Sequence, residues 1–394
     1  MSDDLPPDGE SLGAFLGEVM KMLSGAAGSP AGSARDLARS IATGGESEPN
    51  IDPKDRIKIE ELLRVAELQV ESATRLAVAR GGALRVEVVN RSQWVDRTIE
   101  QYRPLLKALA ESISAVLPTP DELPENDPMG QMMAGLQQML ESMLSAMTTG
   151  AMVGELAQVA FGGFHLPLPR PADAQLLVLL PNVDRFGQEW SLDADDLRLW
   201  VCLHEAAHCA VLGVPHVGER LRDLLQRYAG AFERDPETLR ERLSGFDLNA
   251  GPEALIELNR SLSDPELIFG AVRSPMQAAL EPEIAALLAA VGGYVDHVMD
   301  QTGGSIIGSY GRVTEALRRR RTQADGSDRL VERLLGFELD QSHFDRGSAF
   351  VEGVIERAGT EGLDRLFEDP QHLPTPSEVD APGLWLARID LPSI

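Results

Sequence analysis

His204-Glu205-Ala206-Ala207-His208 holds the residue types and the spacing that most directly suggest chemistry. Two histidines four residues apart fall on one face of an α-helix, one turn apart, so their imidazoles can converge on a single metal ion. Glu205 lies beside that face, where its carboxylate can reach a metal-bound water. Zinc-assisted hydrolysis of a peptide bond needs this arrangement. His204 and His208 are therefore candidate ligands, Glu205 the candidate catalytic base, Zn2+ the candidate cofactor, and a peptide or protein the candidate substrate.

A catalytic zinc also needs a third protein ligand and an open position. In metzincins the third histidine follows the first by ten residues, and here that position is Val214. His216, just past the motif, is one alternative. The stretch Gly292-Gly293-Tyr294-Val295-Asp296-His297-Val298-Met299-Asp300 offers Asp296 and His297, and Glu281 or Glu283 precede it. Tyr228, Tyr294, Tyr310 and His297 are candidates to stabilise an oxyanion, and spacing does not choose among them.

These residues must be carried by regular elements. Ser191 to Asp196 supplies N-cap candidates and first-turn acids. Leu197, Leu199, Trp200, Leu203, Ala207, Ala210 and Val211 form an apolar stripe, and Gly213 and Pro215 close it. The motif is expected on a helix of about five turns. Cys202 and Cys209 sit about 10 Å apart on that helix, too far for a disulfide, and are expected as small core residues. Gln175 to Leu180 reads as a strand, and a strand just before such a helix could pair with an extended substrate.

Elsewhere helices are expected over Pro53–Arg80, Gln93–Val116 (capped by Asn90, kinked at Pro104), Glu219–Phe232, Pro236–Leu243 and Pro275–Asp300, with Leu84–Val89 extended. Met129–Ala160 is Met-rich and reads as core; Gly150 and Gly154 would let another backbone come close. Arg318 to Arg321 reads as a solvated helix face, and the tail from Leu373 as a surface wrap. Residues 1–50 look flexible. Residues 51–394 form a mainly α domain with a small β-sheet, in an N-terminal helical part (51–165) and a motif-bearing part (170–394).

The 394 residues carry a formal net charge of −26. Such a chain repels nucleic acid and anionic membranes. The acidic Met1-Ser2-Asp3-Asp4 start shows no leader pattern, and no uncharged apolar run has the length of a membrane span. With no disulfide framework, the expected location is the cytoplasm. The oligomeric state is not readable.

H-E-A-A-H-C-A-V-L-G-V-P-H, G-Y-V-D-H-V-M-D, R-L-L-G-F-E-L from Arg333, G-S-A-F-V from Gly347 and L-P-T-P-S-E from Leu373 together resemble an actinobacterial zincin-like metallopeptidase family. Part of that group is named for an association with deazaflavin cofactor biosynthesis. The resemblance covers roughly residues 55 to 390. It implies a mostly helical zincin-like fold, His204 and His208 on zinc, and Glu205 as general base. The resemblance implies Glu-Gly in many relatives where this chain has Gly292-Gly293, and in the gluzincin arrangement that Glu is the third ligand. Here Asp296 or His297 would have to move in, or water would replace the ligand. Asp296 is one turn from Gly292, so it is the residue expected to complete the site, as a ligand or by orienting a zinc histidine.

Overall fold

The computed structural model describes residues 30–79, 84–114, 145–171, 174–232, 274–322 and 331–391. The elements are α1 (Pro30–Thr43), α2 (Pro53–Thr74), β1 (Val86–Val89), α3 (Arg91–Gln101), α4 (Arg103–Ser114), β2 (Leu176–Leu179), α5 (Leu180–Glu189), α6 (Ala194–Leu212) and α7 (Pro215–Ala229). They continue with α8 (Pro275–Ile306), α9 (Tyr310–Thr322), α10 (Gln341–Ala358) and the short helices α11 (Glu361–Asp364), α12 (Pro376–Val379) and α13 (Pro382–Ile389). Residues 145–159 are also helical. The architecture is mainly α with one small parallel sheet, as the sequence pattern indicates.

α6 carries the motif and lies at the centre. Asp193 caps it, accepting from the amides of Asp195 and Asp196, and Asp195 and Asp196 sit in its first turn, where negative charge suits the helix dipole. The helix is buried on most of its circumference, packing against α2 on one side and α8 on another. Cys202 is fully buried here, and Cys209 points its Sγ at the Val78 carbonyl.

α8 is the longest helix among the described residues. Ser274 and Gln277 form a reciprocal capping box at its start. By length and composition it could cross a membrane, but 61% of its apolar stretch is buried within the protein. Packing at the centre of the fold accounts for its hydropathy. It crosses α10 at Gly293 and Gly347, where a Cβ on either glycine would strike the other helix's backbone. That close crossing brings residues of α8 and α10 onto one cavity.

β1 and β2 pair in parallel, Val86 opposite Leu176 and Val89 opposite Leu179. The other edge of β2 is also taken: Leu179 N–H donates to Phe161 at 2.7 Å, Gly163 N–H to Leu177 at 3.2 Å, and Gly162 bridges Val178 antiparallel. A substrate strand therefore cannot add directly to β2, contrary to the sequence-based expectation. The segment 161–163 already fills the position.

Three further expectations change. Residues 1–50 are not wholly non-globular, because α1 packs with Ala34, Ala38 and Ala42 buried. Its small-residue stripe meets the helix of residues 145–159, where a Cβ on Gly154 would fall 2.8 Å from Ile41 Cβ. A composition that resembles a linker here serves a close helix contact. The expected Gln93–Val116 helix is two helices broken at Tyr102, with Pro104 in the first turn of the second. The tail does not simply wrap the surface: Trp385 is fully buried and donates its indole N–H to the His372 carbonyl at 2.6 Å. Residues Leu12–Leu23, Met129–Ser142 and Pro236–Leu243 lie outside the described residues.

Candidate active site and metal centre

One cavity of about 410 Å³ opens onto the motif. Its first wall is α6. The rings of His204 and His208 lie 4.3 Å apart between centroids, tilted by 50°. Each is held by an aromatic face: Trp200 stacks on His204 at 5.0 Å and Phe164 on His208 at 5.7 Å. His208 Nδ1 lies 3.1 Å from the His204 carbonyl. With the proton on Nδ1 donating there, the ring's acceptor lone pair is on Nε2.

Glu205 is buried at 1% exposure. Its carboxylate accepts from the amides of Gly163 at 2.8 Å and Phe164 at 3.2 Å. A Cβ on Gly162 would strike that carboxylate and the Leu177 carbonyl, so the close approach needs glycine. Burial pushes the carboxyl up to about 7, against the opposing pull of Arg170, His208 and the two amide bonds. A carboxyl poised near neutrality can take up or release a proton at working pH.

The segment that grips Glu205 is itself fixed. Trp94 donates its indole N–H to the Gly162 carbonyl at 2.8 Å, and Gly163 N–H is shared with Leu177. The next residue, His165, is half-buried and lines the cavity. Desolvation pushes its imidazole down to about 3, with Arg320 and His204 adding to the effect.

A second part of the lining comes from α8, α9 and α10. Gly292 and Asp296 of α8, Arg320 of α9, and His343 and Phe344 of α10 line the same cavity. A Cβ on Gly292 would meet nothing within 4 Å. The position is open space exactly one residue from the closely packed Gly293. Arg320 lies over the Phe161 ring at 4.0 Å and donates to the Val159 carbonyl. The basic block thus sends one side chain into the cavity wall, where the sequence suggested only a solvated face.

The remaining candidates sit elsewhere. His216 Nε2 lies 3.2 Å from the Leu366 carbonyl, and His297 pairs with Gln301 at 2.9 Å; neither lines the cavity. Glu281 accepts from Tyr228, and Glu283 pairs with Arg220. Tyr294 packs edge-on against Phe367, and Tyr310 donates to Asp300 at 2.7 Å. Of the seven histidines in the chain, four (His165, His204, His208 and His343) line the cavity. His165 and His343 escaped sequence reasoning because they are far from the motif in the chain. The one available signal was Phe161-Gly162-Gly163-Phe164-His165, a glycine pair between aromatics just before the strand.

The donor chemistry of α6 fits zinc: two neutral-capable imidazoles one turn apart, beside a buried carboxylate engaged by two backbone amides. Among the described residues, no three His, Cys, Asp or Glu side chains are gathered so that they could hold a metal ion. Asp296, half-buried, is the carboxylate that α8 brings to the cavity one turn from Gly292.

A central helix bearing H-E-x-x-H, backed by a short sheet and opening on a cavity, defines a zincin-type protein. The chain belongs to the zincin-like metallopeptidase family, whose profile matches residues 31–386. It is also similar to a crystal structure from Chloroflexus aurantiacus described as a candidate hydrolase with a novel fold. The TM-score is 0.59 at 21% identity, covering 92% of this chain and 98% of that one. That likeness extends the fold over nearly the whole chain. The comparison with curated proteins gave no match.

Proposed function

We propose that this protein is a zinc-dependent hydrolase that cleaves peptide bonds. The observation that carries the reading is the placement of Glu205, held by two backbone amides beside His204 and His208 on an open cavity. His204 and His208 hold the metal, and Asp296 completes the site as a third ligand or as the carboxylate that orients a zinc histidine. When bound, zinc supplies Lewis acidity, polarising the scissile carbonyl and lowering the pKa of water to about 7. Glu205 takes a proton from the attacking water and returns it to the leaving amine. The substrate is a peptide or unfolded protein; a chain with net charge −26 does not suit nucleic acid. The test is hydrolysis of unfolded protein by the zinc-loaded wild type and by Glu205→Gln. Equal rates would overturn the reading.

A second reading rests on Gly292 and on the absence of a gathered three-donor set among the described residues. In it, the site binds a peptide or partner without cutting it. Zinc titration of Gly292→Glu separates the two. A large gain in affinity together with newly acquired hydrolysis would favour the second reading. Wild-type hydrolysis that depends on Glu205 would favour the first.

A further inference from the structure

We propose that His165 is the catalytic hydrogen-bond donor that polarises the scissile carbonyl and stabilises the oxyanion. This rests on the hydrolase reading above. Such a donor must face the reaction centre and must be held before the reaction starts, because preorganisation is what makes it effective. The four candidates drawn from sequence do not meet the first requirement: Tyr228, Tyr294, Tyr310 and His297 all lie off the cavity lining. His165 meets it, lining the cavity together with His204, Glu205 and His208.

It also meets the second. Phe164, its neighbour, donates its amide to Glu205 and stacks its ring on His208. Gly163 is bonded to Glu205 and Leu177, and Gly162 to Trp94. The backbone that carries His165 is thus tied to the base, to a ligand and to the sheet. His165 shares the lining of one cavity with His204, Glu205 and His208 and follows directly on Phe164, whose ring stacks on His208. His343 also lines the cavity, but from the start of α10, a separate element from the segment that grips Glu205, with its ring edge-on to Phe344. In the reaction, the imidazole N–H donates to the carbonyl oxygen as negative charge develops there; no proton need leave the ring, and no bond to His165 forms or breaks.

The experiment uses the zinc-loaded full chain with His165→Ala and His165→Gln, reading three quantities: zinc content, kcat and KM on an unfolded protein substrate, and the affinity of a peptide phosphonamidate. The expected result for His165→Ala is unchanged zinc, kcat lower by about 10²-fold, KM changed less than about threefold, and phosphonamidate binding weaker by about tenfold. His165→Gln keeps an N–H donor and should recover part of the kcat loss. Loss of zinc from His165→Ala would overturn the proposal by making His165 a ligand. Unchanged kcat and phosphonamidate affinity would overturn it as well, while Glu205-dependent hydrolysis left the hydrolase reading intact. If the wild type cleaves nothing, that reading fails, and phosphonamidate affinity decides His165 alone: weakening supports a donor facing the site, and equality removes it.

Discussion

Two walls contribute to the cavity, and they are built in different ways. On the α6 wall every functional group is held by something else: Trp200 and Phe164 clamp the imidazoles, and two amides grip the Glu205 carboxylate. On the α8 wall, two adjacent glycines have opposite surroundings. Gly293 is pressed against the backbone of α10, while Gly292 looks into open space. The helix crossing thus places α8 closely, yet leaves the cavity-lining position Gly292 without a side chain. The difference teaches that position and donor are separable. A helix can be delivered to the cavity with high precision by packing, while the carboxylate it brings there stands one turn later, at Asp296.

The largest expected effect breaks the first wall. Glu205→Gln should lower hydrolysis by about 10²–10⁴-fold, the usual range for a general base. Thermal melting should show no loss of stability, since the amide still fills the site and no longer buries a charge. Next comes the α8–α10 contact. Gly293→Ala should destabilise by about 1–3 kcal/mol, because backbone cannot yield as a flexible side chain can. A melting temperature equal to wild type would show that the crossing is looser than described.

Asp296→Ala tests what the second wall contributes. Zinc affinity or activity should fall by about 10–100-fold. Unchanged values of both would remove Asp296 from the site. The adjacent glycine gives a smaller effect of the opposite sign from Gly293: Gly292→Ala should stabilise by up to about 1 kcal/mol, since it removes a helix-interior glycine and meets nothing. Opposite shifts in melting temperature for two neighbouring substitutions would be a direct readout of the contrast.

A carboxylate remote from the cavity sharpens it further. Burial opposes ionisation of Glu378, but hydrogen bonds from Arg388 and the Thr375 amide prevail and hold it below its ordinary value of 4.5. A depressed value stabilises the fold above the unfolded-state pKa and is lost as pH falls through the folded one. The stability advantage of wild type over Glu378→Gln should therefore be present at neutral pH and shrink on acidification below about pH 4. The effect should be under about 1 kcal/mol, since Arg388 is partly exposed. Denaturant melts across that range would measure it.

The features legible in the sequence are those set by local pattern. The motif helix, its Asp193 cap, both strands and the α8 start follow from periodicity and capping residues a few positions apart. Helical spacing also put Asp296 beside Gly292, and both line the cavity. The rest depends on contacts between distant segments. His165 acquires its place only because residues 161–163 lie along β2 and Glu205 reaches back some forty residues to the Gly163 and Phe164 amides. Arg320 reads as one of four exposed arginines until Phe161 is placed beneath it. Ala34, Ala38 and Ala42 look like linker composition until Gly150 and Gly154 are set against them.

Zinc binding measured on purified wild type and His208→Ala, after loading and exhaustive dialysis, tests the central claim most directly. About one equivalent retained by the wild type and lost from His208→Ala is the expected result. Less than roughly a tenth of an equivalent in the wild type, or equal zinc in both proteins, would contradict the account.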